Sequence, residues 1–175
     1  MVINVQGLIG FFFPTPLFFL LMKELNCEDR RFYYEKNFFT LDGLWIIETE
    51  NETDFETALK IDLLVWRKLL KIIYKRIAKY IKADTSRVDH IIDIMAFRWT
   101  CENWEFDIPS SDENEGEIII KKCPYREIME RNPDRKPLIP RICNEICKPI
   151  YKEAIHSLNP EVQVIREKFQ GLSDP

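Results

Sequence analysis

The chain has 175 residues, of which 46% are apolar, 31% charged and 13% aromatic, with a formal net charge of −4. This length suits one globular domain, and the aromatic content with so low a net charge argues against a disordered chain. No period of about 20 to 50 residues recurs, which excludes a repeat array. The five cysteines, an odd number without a convincing export signal, favour reduced thiols in a cytoplasm over a disulfide framework.

The charge is unevenly distributed, because residues 1–22 carry no charged side chain. Pro14 and Pro16 interrupt the apolar run in this segment, and each would remove a hydrogen bond from a membrane-spanning helix. Residues 1–21 therefore have three interpretations: a start assigned upstream of a true start at Met22, a membrane-associated segment, or an apolar element packed on the domain. We expect residues 22–175 to form a single domain, with a membrane-associated protein as the alternative to a cytoplasmic one.

The apolar pattern after this prefix predicts three helices, over residues 28–50, 54–82 and 88 to about 99. Thr53 and Glu56 have the spacing of a capping box and are expected to begin the second helix. The second helix is the most regular of the three, and one of its faces is expected to be buried. That face consists of Ile61, Val65, Leu69, Ile72, Ile73 and Ile77.

The opposite face of the second helix is predicted to carry a stripe of lysines: Lys68, Lys71, Lys75, Lys79 and Lys82. A basic helix face can bind phosphates by releasing counterions, but a solvated helix face is the commoner interpretation. No glycine-rich phosphate loop and no aromatic–basic RNA motif accompanies the stripe. A nucleic acid is therefore not an expected partner.

Near residue 104 the apolar period changes from about 3.6 to about 2, which indicates strands. Residues 104–108 are predicted as a half-buried strand, residues 109–116 as a polar loop, and residues 117–122 as the antiparallel partner. A third strand is predicted over residues 162–169.

Between the second and third predicted strands, the pattern predicts a short helix over residues 125–131 and a longer one from 140 to about 158, with a kink or break at Pro149. The predicted class is α+β: N-terminal helices packed against a small antiparallel sheet, with a cysteine-bearing helix before the last strand.

The thiols are the strongest candidates for chemistry. Cys143 and Cys147 are four residues apart, which places their Cβ atoms about 5–6 Å from each other on one helix face. Cys123 ends a predicted strand and precedes Pro124. Three thiolates could ligate zinc or iron, although zinc prefers four ligands, and ordinary packing of buried thiols is the alternative. Nearby basic residues could lower a thiol pKa or hold a carboxylate, namely Arg126, Arg131, Arg135 and Arg141.

Several runs resemble the L-2-amino-thiazoline-4-carboxylic acid hydrolase-like family of bacterial and archaeal proteins, most of which have no assigned activity. The resemblance covers roughly residues 28–174. It rests on the runs at 38–45 and 58–66, on Cys123-Pro124, and on Cys143 with Tyr151 and Asn159-Pro160. The family's layout is also similar to that of the 4-vinyl reductase type of ligand-binding domain, in which helices lie against a small antiparallel sheet.

The activity that names this family adds water to the C=N carbon of a cyclic thiazoline and yields a carbamoyl-cysteine. Such a reaction needs an activated water or a thiolate, and a cation for the substrate carboxylate. The resemblance therefore implies Cys123 or Cys143 as nucleophile or metal ligand, Arg126 or Arg141 as the holder of the carboxylate, and Tyr151 as a further ligand-binding residue.

One departure from the family pattern puts a four-thiol site in doubt. Similar members continue into another strand that carries a further cysteine, whereas this sequence ends at Pro175 and is expected to be truncated there. With only two histidines and no complete catalytic triad, the sequence favours a domain that binds a small acidic molecule or a metal. The alternative is a hydrolase that opens a cyclic C–N bond.

Overall fold

In the computed structural model, the described part of the chain is residues 26–166. The apolar prefix, and with it the alternatives for residues 1–21, lies outside that range. The helices are α1 (Cys27–Glu52), α2 (Phe55–Ile81), α3 (Val88–Cys101), α4 (Pro124–Glu130), α5 (Ile139–Ile142) and α6 (Lys148–His156). The strands are β1 (Glu105–Ser111) and β2 (Gly116–Lys122), a 3₁₀ turn spans Lys136–Leu138, and a π turn joins α5 to α6 over Cys143–Cys147.

The predicted α+β class is confirmed, since helices dominate and the two strands form an antiparallel sheet. The predicted third strand is wrong over residues 162–166, which have no regular structure, and its remaining residues lie outside the described range. The chain's contacts divide it after Asn37, within α1, and the core belongs to the unit that begins at Phe38. None of the helices among residues 26–166 has the length and apolar character needed to cross a membrane.

The buried face of α2 differs from the predicted one. Its core residues include two aromatic side chains, and from Trp66 onward they recur every three or four positions. They are Leu59, Trp66, Leu70, Tyr74 and Ile77. Val65 and Ile72, which the prediction placed inside, are 44% and 46% exposed. The prediction followed aliphatic residues alone, whereas a Trp or Tyr ring buries more apolar area than an isoleucine and decides which face turns inward. This face packs against Ile91 and Ile94 of α3, Ile146 of the π turn, and Ile150, Ala154 and Ile155 of α6.

The start of α2 is also corrected. Asp54 is the N-cap, and its Oδ1 accepts a hydrogen bond from the Thr57 N–H at 2.8 Å. Thr53, the predicted cap, instead donates its hydroxyl to the carbonyl oxygen of Thr49, because α1 continues two residues beyond its predicted end. At the other end, the left-handed Lys82 (φ 56°) terminates the helix.

One member of the predicted lysine stripe has a structural role. The Nζ of Lys71 lies 3.1 Å from one carboxylate oxygen of Glu153, and the Nε of Arg67 lies 2.8 Å from the other. These ion pairs connect α2 to α6. Lys68, Lys75, Lys79 and Lys82 are exposed, as a solvated face requires.

The hairpin is longer than predicted, because Pro109 lies within β1 and not in the loop. The register shifts between Asp107 and Ser110, so the ladder does not need an N–H from the proline. Trp104 and Phe106 are half-buried as predicted. Gly116 begins β2 at a point where the hairpin approaches the side chain of Ile92 on α3.

The two glycines at positions 116 and 43 give a paired test of this packing. A Cβ at Gly116 would collide with the Cδ1 of Ile92 and lie 3.2 Å from the carbonyl oxygen of Ser110, whereas a Cβ at Gly43 would meet nothing within 4 Å. We expect Gly116→Ala to lower the free energy of unfolding by about 1–3 kcal/mol. Gly43→Ala, inside α1, is expected to raise it by about 0.5–1 kcal/mol. Urea denaturation measures both, and the same sign for the two variants would contradict the packing at Gly116.

Candidate functional site

The thiols of Cys143 and Cys147 lie at the two ends of the π turn. The N–H of Lys148 bonds to the carbonyl oxygen of Cys143, five residues earlier, which is the hydrogen bond of a π helix. Pro149 follows at once and has no N–H to offer the carbonyl of Glu145 in an α-helical pattern. The kink or break predicted at Pro149 therefore takes the form of a widened turn that ends just before the proline.

Cys143 and Cys147 are hydrogen-bonded to each other through their side chains. This bond lowers the pKa of Cys143, and the positive charges of Arg166 and Arg126 lower it further against the effect of burial. The same bond and burial raise the pKa of Cys147 well above its ordinary value. Cys143 is thus the thiol of the pair that ionises first, and Cys147 is the one that stabilises its thiolate.

Arg166 also fixes the backbone of this turn. Its Nη1 donates to the carbonyl oxygen of Cys143 at 3.1 Å, and its Nη2 donates to the Oδ1 of Asn144 at 2.8 Å. A guanidinium held in this way keeps a positive charge beside Cys143.

Cys123 has a different environment from Cys143. It is the N-cap residue of α4, its side chain makes no capping hydrogen bond, and burial raises its pKa to about 11. Interactions with the backbone of Tyr125 and Arg126 and the charge of Arg98 act to lower the pKa of Cys123, but burial outweighs them, so of the two thiols predicted as nucleophiles only Cys143 has a lowered pKa.

The metal prediction gains no support from the described residues. Within residues 26–166, no group of three or more His, Cys, Asp or Glu side chains is placed to hold a metal ion. A zinc or iron site formed by Cys123, Cys143 and Cys147 is therefore not proposed.

The two arginines predicted to hold a ligand carboxylate both pair with carboxylates of the protein. The Nε of Arg126 lies 2.7 Å from a carboxylate oxygen of Glu130. Arg141 pairs with Glu56, at the start of α2, and with Glu145 at 2.8 Å. Arg126 contributes its charge to Cys143, whereas the contacts of Arg141 connect α5 to α2.

The centre of the polar core is Arg98, which the sequence did not point to. Its side chain is only 4% exposed. Nε lies 2.7 Å from a carboxylate oxygen of Glu102, and Nη1 donates to the hydroxyl oxygen of Tyr151 at 3.1 Å. The guanidinium carbon lies 5.3 Å from the ring centre of Trp66 and 5.7 Å from that of Tyr151. The charge is therefore paired, hydrogen-bonded and in contact with two aromatic rings.

Two indole groups complete the hydrogen bonding around this arginine. The Nε1 of Trp99 donates to the hydroxyl oxygen of Tyr151 at 2.9 Å, and the Nε1 of Trp104 donates to Glu102 at 3.1 Å. Tyr151, predicted as a ligand-binding residue, thus lies in the polar core, where its oxygen receives two hydrogen bonds.

Two carboxyl groups lie beside this cluster. Burial raises the pKa of Asp42 to about 6, against the effect of a 3.1 Å hydrogen bond from the Nε1 of Trp66. Burial and the neighbouring charge of Asp42 raise the pKa of Asp62 to about 7. Asp62 lies one turn before Trp66 on α2, so the buried face of this helix includes a carboxyl group. Near neutral pH, both groups are close to the point at which they gain or lose a proton.

The hydroxyl groups of Tyr74 and Tyr125 are buried. That of Tyr125 has no hydrogen-bond partner among the described residues, whereas that of Tyr74 interacts with the guanidinium of Arg98 without good hydrogen-bond geometry. Tyr74 is fully buried, and the ring of Tyr125 packs 5.9 Å from that of Trp66. Burial raises the pKa of both hydroxyls well above the ordinary value. Buried hydroxyls without partners are uncommon in folded proteins and call for an explanation at each site.

The thiols and the polar core are neighbours. Cys147 lies one turn before Tyr151, and a negative charge on Cys147 raises the pKa of Tyr151. The positive charge of Arg98 lowers the pKa of Cys123. The sequence located the thiols by helical spacing, but the one signal for Arg98 was a charged residue four positions after Ile94, on the apolar face of α3.

Comparison with protein-family models, curated proteins and solved structures gives no match. The resemblance to the aminothiazoline-carboxylate hydrolase-like family therefore stays a prediction. Asp42, Asp62 and Trp66, three members of the polar core, lie in the runs that carry this resemblance.

Replacing single tyrosine hydroxyls tests the arrangement of the core. Tyr151→Phe leaves donors on Arg98 and Trp99 without their acceptor, and we expect it to lower the free energy of unfolding by about 1–3 kcal/mol. Tyr74→Phe removes a hydroxyl whose contact with Arg98 lacks good hydrogen-bond geometry, and we expect it to change that energy by less than about 1 kcal/mol. Urea denaturation of the ligand-free chain compares the two variants. Equal destabilisation by both would show that the hydroxyl of Tyr74 is paired.

The raised pKa of Asp62 predicts a pH dependence of stability. The folded state favours the protonated carboxyl, so this stabilisation is full below the ordinary pKa of 3.8 and is lost as the pH rises through about 7. Asp62→Asn should therefore raise the free energy of unfolding at pH 8 by about 2–4 kcal/mol, since one pKa unit corresponds to about 1.4 kcal/mol. Little change is expected near pH 4.

Asp54→Asn is the control for this experiment. Hydrogen bonds from Thr57 lower the pKa of Asp54, so its contribution has the opposite pH dependence, and asparagine keeps the cap. This variant should show no gain in stability at pH 8. Destabilisation of the chain at pH 8 by Asp62→Asn would overturn the assignment.

Proposed function

We propose that this chain is a binding domain for a small acidic molecule, and that the ligand binds at the polar core around Arg98. The observation that carries the proposal is the buried hydroxyl of Tyr125, which has no partner among the described residues and lies close enough to the buried guanidinium of Arg98 to be affected by its charge. An unpaired buried hydroxyl costs about 1–3 kcal/mol, so a ligand that accepts a hydrogen bond from Tyr125 recovers this energy on binding. A carboxylate offers two oxygens for that purpose.

The charges around this hydroxyl favour a carboxylic acid that also carries a basic nitrogen. Arg98 is already balanced by Glu102, so a bound carboxylate without a positive charge of its own would add to the repulsion from Asp42 and Asp62. Asp42 is close enough to Tyr125 for its charge to raise the pKa of that hydroxyl. A cationic nitrogen on the ligand therefore has the carboxylate of Asp42 to pair with near the hydroxyl of Tyr125 that holds the acid group. Aminothiazoline-carboxylates, which the family resemblance implies, carry both groups.

Titration calorimetry with 2-amino-thiazoline-4-carboxylate tests this proposal. We expect saturable binding by the full chain and at least about tenfold weaker binding, a loss of about 1.4 kcal/mol, for Tyr125→Phe. Tyr80→Phe is the matched control, because Tyr80 is 77% exposed and should leave the affinity unchanged. 2-Aminothiazoline, which lacks the carboxylate, should bind more weakly to the unaltered chain. Absence of binding, or equal loss in both tyrosine variants, would refute the proposal.

A hydrolase that opens the thiazoline ring is the second candidate, and the environment of Cys143 favours it. The hydrogen bond from Cys147 and the charges of Arg166 and Arg126 lower the pKa of Cys143, as a thiolate nucleophile requires. The calorimetry samples can be assayed for carbamoyl-cysteine. A hydrolase predicts product that disappears in Cys143→Ser and persists in Cys101→Ser, whereas a binding domain predicts none in any sample.

A further inference from the structure

The paired thiols of the π turn have the features of a redox-active dithiol. Cys143 and Cys147 lie at the two ends of the π turn, and both residues are half-buried. The guanidinium of Arg166 is held at the backbone of the same turn. One thiol is thus placed to attack a disulfide, and a second lies at the other end of the same turn to follow it.

We propose that Cys143 and Cys147 form a thiol–disulfide exchange site, which low-molecular-weight disulfides such as glutathione disulfide oxidise. The proposal goes beyond the binding function, since it uses neither Tyr74 nor Tyr125 and needs no ligand at Arg98.

The exchange proceeds in two balanced steps. The thiolate of Cys143 attacks one sulfur of the small disulfide, forms a mixed disulfide, and releases one small thiolate, which takes up a proton. Cys147 then loses its proton and attacks the sulfur of Cys143, which forms the Cys143–Cys147 disulfide and releases the second small thiol. In total, two protein thiols are oxidised and one small disulfide is reduced to two thiols.

The roles of the two cysteines follow from their surroundings. Cys143 attacks first because the cations and the hydrogen bond from Cys147 favour its thiolate. Once Cys143 is in the mixed disulfide, Cys147 is the thiol on the same turn, close enough for each thiol to shift the pKa of the other. Cys123 also lies close enough for its charge to affect the pair, but burial disfavours its thiolate, so we expect it not to take part.

The π turn allows the backbone change that a disulfide needs. Residues four apart on a helix have Cβ atoms about 5–6 Å apart, whereas a disulfide needs about 3.5–4.5 Å. Pro149 provides no N–H to the carbonyls of this turn, so fewer backbone hydrogen bonds resist the movement than in a regular α-helix.

The test uses the full chain, reduced and then treated with glutathione disulfide. After acid quenching and alkylation, peptide mass spectrometry should show that Cys143 and Cys147 are both lost as free thiols and that neither retains glutathione, whatever the exposed Cys27 and Cys101 carry. Proteolysis after Glu145 separates the two cysteines in sequence, so the fragments should stay joined until a reductant is added. This measurement on the unaltered chain does not depend on whether any variant folds.

Two variants give the matched controls. Cys147→Ser should retain one glutathione on Cys143, because the second thiol is missing. Cys101→Ser should behave like the unaltered chain, since Cys101 is an exposed thiol outside the pair. Glutathione retained on Cys143 of the unaltered chain, a disulfide to Cys123, or reaction of Cys101 as fast as Cys143 would each overturn the proposal.

Discussion

The buried positive charge of Arg98 is the constraint on which the core depends. A buried ion that loses its partner costs about 3–5 kcal/mol, so the guanidinium must keep both Glu102 and Tyr151. Glu102 follows one turn later in sequence, but Tyr151 belongs to α6, so pairing Arg98 fixes α6 against α3. The ring of Trp66 on α2 covers the same guanidinium. One charged side chain therefore specifies how three helices meet.

Burial is the main reason why Asp42 and Asp62 hold their protons, and the charges of this arrangement add to it. Glu102 neutralises Arg98, and it affects Asp42 more by repulsion than Arg98 does by attraction. Asp62 then experiences the charge of Asp42 in addition to its own burial. Because the polar core has no excess of positive charge, these acids stay protonated at pH values well above their ordinary pKa. A ligand that brings a cationic nitrogen would reverse that balance.

The limits of the sequence prediction have physical causes. Helix and strand positions followed from apolar period and turn residues, and the pairing of Cys143 with Cys147 needed only the helical repeat. The buried face of α2 was missed because aliphatic spacing ignores Trp66 and Tyr74. Arg98 could not be recognised, since Tyr151 lies 53 residues away and local patterns carry no information about such a contact. The predicted third strand failed where Val162 and Val164 pack against the core without a partner strand among the described residues.

The thiol turn leads directly into α6, which carries Tyr151, the partner of the buried charge on α3, and this connects the two proposals energetically. Tyr151 follows Cys147 by one turn and accepts hydrogen bonds from Arg98 and Trp99. Closing a disulfide between Cys143 and Cys147 strains the turn, and any displacement passed on to Tyr151 leaves buried donors unpaired, at about 1–3 kcal/mol each. The hydrogen bonds of Tyr151 therefore disfavour the oxidation of Cys143 and Cys147, unless the backbone movement stays within the π turn. Such coupling is reciprocal. If the disulfide weakens the binding of a ligand that holds Tyr151 in place, that ligand disfavours the disulfide by the same free energy.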